Sequence, residues 1–169
     1  VTYSITMPRR FDNVRLDAEL KRYLQMAGPS SAEEISGHLG ISQPVFSRLA
    51  VRAGPDLFVA GRARSTRYAL RREISDVGFS TPIYEILESG ESIHFTTLHG
   101  IWPKGFYFEA EKKNTRELFF DDLPYFLEDL RPSGFLGRLV PRRHPEFHIP
   151  EDIRLWSGDH CLQYLVRFG

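Results

Sequence analysis

With one cysteine, Cys161, in 169 residues, the chain can form neither an internal disulfide nor a Cys-rich zinc cluster. A reducing, cytoplasmic setting is therefore expected. No run approaches 18 consecutive apolar residues, and the opening Val1 to Arg10 lacks the charged head and apolar stretch of a secretory signal. Membrane spanning and export are not expected. Also missing are a Gly-rich phosphate loop ending in Lys, the catalytic-loop and metal-binding motifs of a protein kinase, any internal repeat and any low-complexity tract. What the chain does have is 41% hydrophobic residues with 13 Phe, 7 Tyr and 2 Trp, enough to build the core of one ordinary domain or of two small ones.

The zero net charge hides an asymmetry. Residues 1–75 carry twelve Lys/Arg against seven Asp/Glu, a net of +5, whereas residues 76–169 carry ten against fifteen, a net of −5. Such a division is expected when one part of a chain meets a polyanion and the other does not.

The basic half reads as three helices and a hairpin. Leu16 to Met26 places Leu16, Leu20, Tyr23 and Leu24 on one stripe, with Asp17 and Glu19 in its first turn, and stops at Gly28-Pro29. Ser31 with Glu34 forms a capping-box pattern ahead of a short helix carrying Ala32, Ile35 and Leu39, which ends at Gly40. Ser42 then precedes a third helix, with Pro44 in its first turn, running through Phe46 and Leu49 to Gly54-Pro55. Leu57 to Ala60 and Arg67 to Leu70 are strand-like runs around a polar turn that carries Arg62 and Arg64. Between residues 42 and 72 lie seven arginines and one acid, Asp56, the electrostatic pattern of a DNA-binding surface.

The run Leu39-Gly40-Ile41-Ser42-Gln43-Pro44-Val45-Phe46-Ser47-Arg48-Leu49 resembles the turn and recognition helix of bacterial winged helix-turn-helix regulators. That resemblance implies double-stranded DNA as a partner, with Ser42, Gln43, Val45, Ser47 and Arg48 facing the major groove. Gln suits adenine, Arg suits guanine, and Val45 suits a thymine methyl. Arg52, Arg62, Arg64 and Arg67 complete the expected DNA-contacting set, with the hairpin arginines directed to phosphates or the minor groove. A protein-docking winged helix is the rival reading.

The acidic half reads as a small antiparallel β-meander with short helices. Strands are expected at 82–87, 92–98, 105–109 and 116–120, a helix over Leu123 to Leu130 and a last helix over about Gly158 to Phe168, with a linker near Arg72 to Thr81. The whole chain is thus expected to be α+β, with domains at 1–75 and 76–169.

Within this half, Leu123-Pro124-Tyr125-Phe126-Leu127-Glu128-Asp129-Leu130-Arg131-Pro132-Ser133-Gly134-Phe135-Leu136-Gly137-Arg138 resembles a block of the HipA-type toxin Ser/Thr kinases, in their YjjJ-like branch, whose N-terminal region carries a winged helix before a small strand-rich subdomain. Tyr125 stands where Trp is usual and Ser133 where Gln is. Ile149 to Asp152, Trp156, Asp159-His160 and Tyr164-Leu165 are similar to that branch's downstream stretch. The resemblance implies a regulatory segment that binds an operator and packs against a HipA-type kinase core, in cis or in trans. Phe135, Leu136 and Arg138 are the candidates for that contact, and the alternative is that the first two close this module's own core. Since the family's nucleotide-binding and catalytic residues lie beyond the matched region, the chain is not expected to be an enzyme on its own. An excised N-terminal portion, a split antitoxin-like subunit and a free-standing transcription regulator are the three forms considered, with self-association left open.

Other chemistry is disfavoured, and no cofactor or metal is expected. His144 and His148 are four apart, but the intervening Pro145 argues against a shared helix face, and no second metal-ligand motif accompanies them. His160 and Cys161, adjacent on a helix, point about 100° apart, which is poor geometry for a nucleophile and its base. Glu109 to Asn114 reads as a solvated loop, and Gly134, Gly137 and Arg138 as a structural turn rather than a phosphate cradle.

Overall fold

The computed structural model describes residues 9–109, 118–132 and 134–168. Among these are six α-helices and two antiparallel sheets, so the mixed α+β expectation holds. No described helix is long and apolar enough to cross a membrane. The chain divides into two compact units, Val1–Arg71 and Arg72–Gly169.

In the first unit, α1 (Arg9–Ala27), α2 (Ala32–Leu39) and α3 (Gln43–Ala53) precede a hairpin of β1 (Leu57–Ala60) and β2 (Arg67–Leu70). α1 begins about two turns earlier than the apolar stripe suggested, directly after Pro8 in the sequence. Its first seven residues are mostly charged or polar, with only Phe11 and Val14 apolar, so the stripe from Leu16 onward could not locate the start. Leu20, Leu24, Ile35, Phe46, Leu49 and Ala69 are buried together as its core. Phe46 meets Tyr68 edge-on at 4.9 Å, which fixes α3 on the hairpin. Ser30 exchanges backbone hydrogen bonds with Tyr68 at 2.9 and 2.8 Å, so the turn after α1 adds a one-residue rung beside β2.

The second unit is built on a four-stranded antiparallel meander in the order β3-β4-β5-β6: β3 (Ser80–Ile86), β4 (Ser92–Gly100), β5 (Phe106–Phe108) and β6 (Leu118–Phe120). Register slips between Ile83 and Tyr84, which pair with Thr96 and His94 and leave Phe95 as the extra residue on β4. That bulge turns Phe95 onto Phe108 and Phe126. Leu98, Phe106, Leu123, Leu127, Trp156 and Leu162 are central to the core. Residues 110–117, and with them most of the loop expected after Glu109 and the start of the fourth expected strand, lie outside the described residues.

Three local expectations differ from the fold. The segment read as a linker belongs to the second unit: Ile74 is buried in its core, and the Arg72 amide donates to the Gly100 carbonyl at 2.8 Å. The helix expected over Leu123 to Leu130 is the single turn α4 (Tyr125–Glu128), because Pro124 sits at its N-cap and Leu123 is buried ahead of it. Leu130, the last residue of the expected helix, lies beyond that turn and is exposed. The stretch read as a turn at Gly134 is instead α5 (Gly134–Arg143), which carries Pro141 in its interior. Two glycines and a proline argue against a helix on propensity, yet Pro141 is buried and Val140 packs on the core, and tertiary packing decides. The last helix, α6 (Gly158–Phe168), lies where expected.

Candidate nucleic-acid interface

The turn from α2 into α3 is set by Gly40, whose left-handed backbone (φ 62°) lets the amides of Gly40 and Ile41 return to the carbonyls of Gly37 and Ser36. Ser42 takes the N-cap position, but its hydroxyl makes no capping bond; its carbonyl accepts from the Val45 and Phe46 amides. From there the 3.6-residue period sorts α3 cleanly. Phe46 and Leu49 go inward, and Ser42, Gln43, Ser47, Arg48 and Arg52 stay exposed. Val45 is half-buried, so it presents less apolar surface than the sequence reading assigned to it. The outward apolar residue is Val51, 82% exposed, on the stripe of Gln43 and Ser47 at four-residue spacing. Sequence reasoning passed over Val51, although that spacing was there to be read.

Ser47 and Arg48 lean back on their own helix: the Ser47 hydroxyl donates to the Gln43 carbonyl at 3.1 Å and Arg48 Nε to the Pro44 carbonyl at 3.3 Å. The remaining guanidinium donors of Arg48 stay on the exposed face. At the hairpin tip, Arg62 and Arg64 flank Ala63, which is held at φ 50°. Ser65 orders this tip by donating its hydroxyl to the Arg62 carbonyl at 2.8 Å and accepting from the Arg62 amide at 3.2 Å. Both tip arginines are exposed.

Three other arginines of the basic stretch, Arg52, Arg67 and Arg72, have carboxylate partners. Arg52 forks onto Asp17, with Nε 3.1 Å and Nη2 2.9 Å from Oδ1. Arg67 donates to Glu34 at 3.0 Å. Ser31 closes the expected capping box, its amide donating to Glu34 and its hydroxyl accepting from the Glu34 amide. These Ser31 contacts, with Arg67 beyond them, hold the Glu34 carboxyl below the usual carboxylate range. Arg72 is only 11% exposed and binds Asp159 at 2.6 and 2.9 Å within the second unit, which withdraws it from the basic tally. Among the described residues, no carboxylate pairs with Arg48, Arg62 or Arg64.

In the second unit, Arg138 is exposed on α5, while the side chains of Phe135 and Leu136 lie outside the described part of the structure. Elsewhere in the same sequence block Tyr125 is 79% and Leu130 54% exposed. His144 pairs with Glu146 at 3.0 Å, and no group of three or more His, Cys, Asp or Glu residues converges on a metal position among the described residues. Cys161 is buried, and that burial pushes its thiol up to about 11. His160 Nδ1 accepts from the Ser157 amide at 3.1 Å, which makes its ring part of the α6 N-terminus.

Residues 77–169 match the family model described as the YjjJ-like toxin, middle domain. Over 147 residues the chain is 37% identical to Toxin YjjJ of Escherichia coli (strain K12), an alignment covering 86% of this chain and 32% of that protein. The chain thus spans about a third of the length of this curated relative. No solved structure matches.

Proposed function

We propose that this chain, which belongs to the YjjJ-like toxin family, is a DNA-binding regulatory portion of a HipA-like toxin kinase. In this reading Val1–Arg71 is a winged helix-turn-helix, with α3 as recognition helix and the β1–β2 hairpin as wing. The observation that carries it is the sorting of the arginines: among the described residues Arg48 on α3 and Arg62 and Arg64 on the tip have no carboxylate partner, while Arg52, Arg67 and Arg72 are neutralised by Asp17, Glu34 and Asp159. Exposed guanidiniums without a carboxylate partner, on a helix and on a turn, are what a phosphate backbone and its grooves attract. Gln43, Ser47 and Arg48 would read base edges, Val51 would offer apolar contact to thymine methyls, and Arg62 and Arg64 would fix register.

The second unit would pack against the kinase core through the Leu123 to Arg138 block. Its support is the apolar surface that this block leaves in solvent at Tyr125 and Leu130. Any phosphoryl transfer would belong to that core.

The test is a titration of labelled duplexes. If Arg48 reads a base, Arg48→Ala costs about 1–3 kcal/mol on a cognate duplex and little on a random one. Equal loss on both removes the base-reading role. A failure of the chain to bind any duplex rejects the DNA reading outright.

A further inference from the structure

We infer that Arg52, although exposed and basic on α3, is a positioning residue for the reading helix and not a phosphate contact: Asp17 of α1 holds it in a preformed fork. This rests on the DNA reading of the same surface. Both Asp17 carboxylate oxygens receive the guanidinium, with Nε at 3.1 and 3.2 Å and Nη2 at 2.9 Å, across 35 positions of sequence. Arg52 lies in the last turn of α3, so the fork ties the far end of that helix to α1. Lys21 does the same one turn along α1, bonding Asp56 at 3.0 Å ahead of β1.

Magnitudes decide what such a pair is for. The two side chains are 39% and 37% exposed, and pairs this open to water contribute little to global stability. The planar bidentate geometry is nevertheless directional, and a carboxylate already occupying the fork must be displaced before a phosphate can use it. A phosphate approaching Arg52 also meets the Asp17 charge. Base reading, by contrast, requires the reading helix to be held within about 0.5 Å and 10–20° of its productive pose. The fork therefore serves orientation better than attraction.

The experiment uses the full chain, a duplex selected by the wild-type protein from a random library, and a shuffled duplex of the same composition. Fluorescence anisotropy at several salt concentrations is read for Asp17→Ala, Arg52→Ala, Arg52→Lys and the exchange of Asp17→Arg with Arg52→Asp, alongside a thermal melt of each. The positioning role predicts that both alanine variants lose affinity for the selected duplex by about five- to tenfold. Their affinity for the shuffled duplex and their salt slope stay at wild-type values. The charge exchange recovers most of the loss, and Arg52→Lys, which keeps the charge but not the fork, shows part of it. Mere destabilisation would lower binding to both duplexes together, in step with the melting temperature, and would overturn the inference. So would Asp17→Ala binding both duplexes more tightly while Arg52→Ala weakens both and flattens the salt slope by about one, the signature of a phosphate contact. No rescue by the exchange overturns it as well. If wild-type protein selects and binds no duplex, the DNA reading itself falls, and this inference with it.

Discussion

Cys161 shows how a single side chain is set by its surroundings. Buried against the second unit's core, with its thiol pushed up to about 11, it holds almost no thiolate at neutral pH. Ellman's reagent should therefore react slowly with the native chain and at once after denaturation; fast native reaction would show that this region opens readily. Asp152 is governed by hydrogen bonds instead: the Arg154 guanidinium forks onto it at 3.0 and 2.7 Å and the Arg154 amide donates to it as well, and its carboxyl falls from 3.8 to about 2. A carboxyl depressed in the folded state adds stability that is complete above its unfolded pKa and is lost as the pH falls through the folded one. Urea midpoints measured between pH 3.8 and 2 should fall less steeply in Arg154→Ala than in the wild type. At Ser31, one hydroxyl and one amide serve the first turn of α2, so Ser31→Ala should cost about 1 kcal/mol, read from the same midpoints.

At the scale of elements, packing at close quarters sets the sharpest constraints. A Cβ at Gly158, where α6 begins, would run into Asp122 Oδ1 and stand 2.8 Å from Phe106 Cε2 and 2.9 Å from the Leu123 amide. Two of these partners belong to backbone or buried core, so Gly158→Ala should destabilise the second unit by about 1–3 kcal/mol in chemical unfolding. A loss near zero would mean that α6 shifts freely on the sheet. The strands and α2, α3 and α6 were legible in the sequence because caps, turn residues and periodicity agreed there. Ser31 with Glu34 announced α2, and Gly40 announced its end. Where local signals and tertiary packing disagree, the sequence misled: Gly134, Gly137 and Arg138 were read as a turn, but the stretch is helical, with Pro141 buried. Paired charges were likewise invisible, since nothing in the spacing of Asp17 and Arg52, or of Arg72 and Asp159, says that they meet.

At the scale of the molecule, the opposed charges of the two halves keep their meaning only after the ion pairs are counted. Arg72 leaves the basic set for the second unit, Arg52 and Arg67 are paired within the first, and Arg48, Arg62 and Arg64 have no carboxylate partner among the described residues. The family assignment rests on the second unit, which holds the matched residues 77–169. The partner surface proposed there is tested by Arg138→Glu, expected to weaken association with a separately expressed kinase portion while leaving this chain's own melting temperature unchanged. The central claim is that Arg48, Arg62 and Arg64 bring the chain to DNA, and it is tested most directly by the salt dependence of duplex binding. With Arg62 and Arg64 on phosphates and Arg48 on a base, the logarithm of the affinity should fall against the logarithm of salt with a slope of about −2 per chain. The triple variant Arg48→Ala, Arg62→Ala and Arg64→Ala should bring that slope close to zero, whereas an unchanged slope in the triple variant would contradict the claim.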